Sequence, residues 1–154
     1  MQDITSKFLL IERSKDTKNP FDILRNMYFE DSKKTSPHVP DNLRFIPDFT
    51  DKNPVEFSIC LISFIRLSGG EAERINCIKW KKFKRIIYAD IGAYINGKSI
   101  VIEFMGKRDI KSYEKKQYKQ WVEQNGGLYF VAWGFVQFYN WFISNFESNV
   151  HEDK

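Results

Sequence analysis

This 154-residue sequence predicts an α/β protein with a mixed sheet, and three observations carry the prediction. Helical and strand periodicities follow one another from residue 53 in the order α-β-β-β-α-β-α. An Asn96-Gly97 pair separates two runs rich in β-branched residues, a strong short-range hairpin signal. A polar helix then stands between the third and fourth strands, and such a crossover lets the fourth strand run parallel to a hairpin strand.

The length suits one globular domain with a real core and is short for two. Residues 1–52 hold four of the five prolines (Pro20, Pro37, Pro40 and Pro47) and only one short helical candidate, at residues 21–29. They are expected to form a partly ordered N-terminal extension. At Asn53 the texture changes: Asn53 can cap a helix, Pro54 suits its first position, and Glu56 stands where a capping-box acid belongs. Phe57, Cys60, Leu61, Phe64 and Ile65 then recur at helical spacing until Gly69-Gly70 ends the run.

Residues 71–79 read as a strand, followed by the basic loop WKKFKR and the hairpin strands 86–95 and 98–104. Ile91, Ala93, Ile95, Ile100 and Ile102 share one face, which should pack on helices. Asp90, Gly92, Tyr94, Ser99, Val101 and Glu103 share the other, where a site can open. A helix over 112–125 should turn Tyr118, Trp121 and Val122 inward and stop at Gly126-Gly127. A short apolar strand over 128–133 and an aromatic amphipathic helix marked by Phe135, Phe138, Tyr139, Phe142, Ile143 and Phe146 complete the unit. Residues 148–154 read as a polar tail.

Hydrophobic residues make up 42% of the chain and aromatics 16%, which argues against wholesale disorder. A net charge of +4 suits a polyanionic partner without demanding one. Cys60 and Cys77, with the isolated His38 and His151, lack the spacing of a zinc site or a disulfide framework. Free thiols in a reducing compartment follow. The N-terminal MQDITSKFLLIER resembles neither a secretory signal nor a membrane span, so a cytoplasmic protein without membrane attachment is expected.

The chemistry is carried by two acids. Counting outward from a two-residue turn, 95 pairs with 98 and 94 with 99, until Asp90 faces Glu103 across two antiparallel strands. Opposed carboxylates destabilise a ladder, so a divalent cation between them is the natural complement. Mg²⁺ (or Mn²⁺) held there would polarise a phosphoryl group and lower the pKa of an attacking water. Glu56 on the first helix of the domain is a further candidate ligand, through water. A lysine two residues beyond Glu103 would help orient the nucleophile, but Met105 stands at that position. Lys107 and Lys115 are the candidates to replace it.

The runs GGEAERIN, ADIGAYINGKSIVIEF and KSYEKKQYKQWVEQNGGLYFVAWGF, with YNWF after them, resemble the PD-(D/E)xK superfamily, specifically VRR-NUC (Holliday-junction-resolvase-like) nucleases of phage and Bacteroidetes type. The likeness spans residues 53–147 and implies a restriction-endonuclease-like fold and Mg²⁺-dependent endonuclease activity on DNA, with branched or phage DNA as the suggested substrate. It implies Asp90 as the motif's metal-binding Asp, Glu103 as its second acid, Glu56 near the helical acid, and Met105 in the motif lysine's place. Lys115 falls where a helix glutamine is common, and a homodimer is the assembly that junction-cleaving relatives suggest.

Basic residues suggest where nucleic acid would lie. Lys79, Lys81, Lys82, Lys84 and Arg85 interleave with Trp80 and Phe83, a pattern that pairs with phosphates while an aromatic stacks. Lys111, Lys115 and Lys119 follow at helical spacing, and Arg74 and Lys107 are further phosphate candidates. Each has a plain alternative as solvated surface charge. The rival to the enzyme is a degenerate nuclease-fold protein that binds nucleic acid or a protein partner without cleavage, and Met105, which carries no charge, favours it.

Overall fold

The computed structural model describes residues 19–75, 89–105 and 113–146. Its first helix, α1 (Pro20–Thr35), is longer than the stretch 21–29 read from sequence. Asn19 starts it by accepting from the Phe21 N–H at 3.1 Å, and Pro20 fills the first helical position, where no N–H is needed. Arg44 explains the extra length. Its guanidinium donates to the carbonyls of Ser32, Ser36 and Val39 at 2.7, 3.1 and 2.5 Å. Its Nε donates to Asp41 at 3.0 Å. The carbonyls at the helix end are thus served by a side chain only 4% exposed, which ties the 3₁₀ turn Asp41–Leu43 back onto α1.

The remaining elements are α2 (Pro54–Leu67), β1 (Glu71–Arg74), β2 (Ile91–Ile95), β3 (Lys98–Phe104), α3 (Tyr113–Gln124), β4 (Leu128–Ala132) and α4 (Phe135–Phe146). From α2 onward the order is the α-β-β-β-α-β-α expected, with a four-stranded mixed sheet among the described residues. The chain divides into two compact units with boundaries at 69/70 and 133/134. One holds α1, α2 and α4; the other holds the sheet and α3.

In the helical unit, Asn53 caps α2 by accepting from Val55 and Glu56 N–H at 3.0 and 2.9 Å. Phe57, Cys60, Leu61, Phe64 and Ile65, the predicted apolar face, are all buried. Phe64 is the hub, with ring centroids 5.8, 6.3, 5.3 and 5.1 Å from those of Phe135, Phe138, Tyr139 and Phe142. Burying each such ring contributes roughly 1.5–3 kcal/mol. Ile23 and Leu24 of α1 are buried too, and Phe21 meets Phe135 at 5.1 Å, so residues expected in a loose extension share this core.

In the sheet unit the strands lie in the order β1-β2-β3-β4, antiparallel except for the parallel pair β3 and β4. Asn96 (φ 49°) and Gly97 (φ 77°) form the hairpin turn, both with the positive φ that a type I′ turn requires. The register runs from Ile95 opposite Lys98 to Ile91 opposite Ile102, as the residue count predicts. Helix α3 ends in a Schellman motif, in which Gly126 (φ 79°) donates to Glu123 O and Gly127 to Val122 O. A Cβ on Gly127 would fall 2.9 Å from Val122 Cγ1, so this close approach requires glycine. Val122 is buried and Tyr118 partly so. Trp121, expected inward, is instead 60% exposed and stacks on Tyr118 at 6.1 Å. The helix turns only a narrow stripe toward the sheet, and Val122 and Tyr118 occupy it.

Asp51 supplies a contact that spans the sequence. Its Oδ2 accepts from the Phe135 N–H at 2.8 Å, so it caps α4 from 84 residues away. Replacing Asp51 with alanine is expected to lower stability by about 1 kcal/mol. In urea this appears as a lower unfolding midpoint at unchanged slope.

Candidate functional site

The two acids of the sheet unit sit where the hairpin leaves its regular ladder. In a two-residue hairpin of this register, alternate pairs exchange both hydrogen bonds, and the Phe104 N–H should reach the carbonyl of residue 89. It does not. The Asp90 N–H donates to Ile102 O at 2.9 Å although Ile102 is the register partner of Ile91, so two successive residues meet one, as in a β-bulge. The displaced Phe104 N–H instead donates to Asp90 Oδ2 at 2.6 Å. Asp90 therefore stands one step outside the simple opposition expected, and its carboxylate is tied to the peptide that follows Glu103.

Glu103 is 4% exposed, which is unusual for a carboxylate. Two groups compensate. Lys115, in the first turn of α3, donates from Nζ to Oε1 in a close ion pair, and the Tyr129 hydroxyl donates to Oε2 at 2.5 Å. Tyr129 reaches it because the parallel pairing sets Val101 beside Tyr129 and Glu103 beside Val131, on one face of the sheet. Val101, Val122 and Tyr129 form a small buried cluster there with Ala89, partly covered by Ile75, Tyr118 and Val131. The face expected to open is covered at Glu103 by α3. Burial, the hydrogen bond to Glu103 and the negative charges of Glu103 and Asp90 all push the Tyr129 hydroxyl well above the usual phenol range. Both carboxylates thus act on the same phenol.

Lys115, one of two candidates for the missing lysine, is brought onto Glu103 with its side chain 24% exposed. The basic ridge expected on α3 is correspondingly thinned, since Lys115 turns inward and Lys119 pairs with Glu123 at 3.7 Å. Met105 is half-buried, and its N–H donates to Ala132 O at 3.0 Å, continuing the β3–β4 ladder. Arg74 is exposed at the end of β1. Lys79, Lys81, Lys82, Lys84, Arg85, Lys107 and Lys111 lie outside the described residues, as do Cys77, His151 and the polar tail.

Glu56 belongs to the helical unit. Its Oε2 accepts from the Thr50 hydroxyl, and that bond, with help from Asn53 and Lys52, holds its carboxyl below the usual range. The Thr50 hydroxyl engages this carboxylate, and no three His, Cys, Asp or Glu side chains gather around a common point among the described residues. Asp90 and Glu103 form the candidate donor pair within the sheet unit. The pair fits Mg²⁺, a hard ion that commonly takes one or two protein carboxylates and completes its octahedron with water and substrate phosphate. Asp90 and Glu103 are the residues that would hold it. Cys60 is no rival ligand: it is fully buried, donates to Thr50 O at 3.2 Å, and burial pushes its thiol up to about 12.

Tyr129 is the site residue that sequence reasoning missed. Its only signal was alternation along 128–132, which becomes informative once the parallel register to β3 is known. No helix among the described residues is long and apolar enough to cross a membrane.

Substituting Lys115 by methionine would leave the Glu103 carboxylate buried without its counter-ion, at an expected cost of about 3 kcal/mol. Adding Glu103→Gln to that variant should return most of the loss. A double-mutant cycle by urea unfolding measures this coupling, and purely additive losses would contradict it.

Comparisons with known proteins assign nothing further: no family model, no curated protein and no solved structure matches the chain.

Proposed function

We propose that this chain is a metal-dependent endonuclease that hydrolyses DNA phosphodiesters, built on a restriction-endonuclease-like sheet. The observation that supports the reading is that Asp90 is tied to the Phe104 N–H, the peptide next to Glu103, while Lys115 of α3 pairs with Glu103. Asp90 and Glu103 hold Mg²⁺ or Mn²⁺, and the ion supplies a Lewis acid and a more acidic bound water. Lys115 takes the part of the lysine that Met105 replaces: it offsets the negative charge that builds on the phosphate as water attacks. The likeness of residues 53–147 to VRR-NUC nucleases agrees with this assignment, and branched DNA is the first substrate it suggests. A reducing, cytoplasmic setting and a homodimer accompany the proposal.

A Mg²⁺ or Mn²⁺ cleavage assay over branched, linear and single-stranded DNAs tests it. The parent chain should cut at least one of them, and Asp90→Ala should lower the rate roughly 100-fold or more. Equal rates in the two proteins, or none in the parent, would sink the enzyme reading.

A second reading is favoured by one observation. Both Glu103 oxygens are already satisfied within the protein, and Met105 offers neither charge nor a donated hydrogen bond. That is what a nuclease-fold protein that binds DNA, or a partner protein, without cutting would keep. Restoring lysine with Met105→Lys separates the two. With Lys115 in the catalytic role the rate should change little, whereas cleavage that appears only in the variant identifies a disabled nuclease.

A further inference from the structure

Glu103 is held by both of its oxygens. Tyr129 donates to Oε2 at 2.5 Å from β4, and Lys115 donates to Oε1 from α3. The phenol is the stiffer of the two supports, because its ring is buried between Val101, Val122 and Tyr118 and its Oη cannot move without the ring. Lysine reaches Oε1 along a flexible stem and can yield.

We propose that Tyr129 is a positioning residue that sets which divalent cation the site accepts, selecting Mg²⁺ over Ca²⁺ by keeping Glu103 from presenting both oxygens to one ion. The inference rests on the reading of Asp90 and Glu103 as ion ligands. Ca²⁺ gathers six to eight oxygens and commonly takes a carboxylate through both; Mg²⁺ needs only six at near-octahedral angles and keeps several waters. With Oε2 committed to a buried phenol, Glu103 has only Oε1, whose lysine partner can yield, to offer as a good donor. Asp90 is restrained in the same sense, with Oδ2 accepting from the Phe104 N–H. Two one-oxygen carboxylates suit the smaller, water-keeping ion.

The test is calorimetric titration of the full chain with MgCl₂ and with CaCl₂, without DNA, for the parent, Tyr129→Phe and Glu103→Gln. The parent should bind Mg²⁺ more tightly than Ca²⁺, and Glu103→Gln should weaken both. In Tyr129→Phe the carboxylate is free to turn, and the Ca²⁺-to-Mg²⁺ affinity ratio should rise about tenfold, the scale at which groups behind a metal ligand act. An unchanged ratio in a folded Tyr129→Phe, with the other two proteins as expected, overturns the role of Tyr129 and leaves the ion site standing. A parent whose Mg²⁺ binding is indifferent to Glu103→Gln overturns the ion site and this inference with it. A parent that prefers Ca²⁺ through Glu103 overturns the inference even if Tyr129→Phe does not fold.

Discussion

Asn96 and Gly97, two successive residues held at positive φ, set the geometry on which the rest of the sheet unit depends. Their turn has the same twist as the strands it joins, so it fixes the pairing of β2 and β3 without slack. A slip of one residue would send Val101 and Glu103 to the opposite face, and with them every contact to Tyr129 and Val122. The bulge at Asp90 is tolerated because the register is already secured at the other end of the hairpin. There the ladder gives up one regular hydrogen bond, and the Asp90 side chain replaces it.

From that register follows the other feature of the unit, a charge placed in an apolar layer. Burying a carboxylate costs several kcal/mol, and pairing it with lysine rarely yields more than a well-packed hydrophobic group would. Glu103 with Lys115 and Tyr129 is therefore hard to explain as stabilisation alone. The arrangement keeps an anionic oxygen in a fixed place against a primary amine and a phenol. Met105 sits at the same strand end as part of the backbone ladder, whereas the amine beside Glu103 arrives from a helix.

The helical unit is organised by polar groups acting over long separations in sequence. Arg44 closes the end of α1 by binding three carbonyls, and Asp51 caps α4. Each satisfies helix-end groups that would otherwise be left to water. Phe64 gathers rings from α4 around itself. The segment between α1 and α2 is thereby tied at Arg44, Asp51 and the Thr50–Glu56 hydrogen bond, despite its prolines.

Local chemistry made much of this legible in advance. The Asn53 cap with Pro54, the Asn96-Gly97 turn, the Gly126-Gly127 stop and the apolar faces of α2 and α4 each depend on residues within a turn or two of one another, and each stands where the sequence indicates. The hairpin register was countable for the same reason. What lay beyond reach were contacts whose partners are brought together only by folding: Arg44 lengthening α1, Asp51 on α4, the bulge that re-aims Asp90, and Tyr129 against Glu103. Trp121 shows the same limit, since periodicity names an apolar stripe but not how wide a stripe the neighbouring surface will cover. The amino-acid sequence alone determined which elements form and which two acids end one hairpin, because short-range sterics and hydrogen bonding decide those. Only the tertiary structure decided that Glu103 would be buried between an amine and a phenol, because the β3–β4 pairing and the docking of α3 join residues that nothing in their local sequence connects.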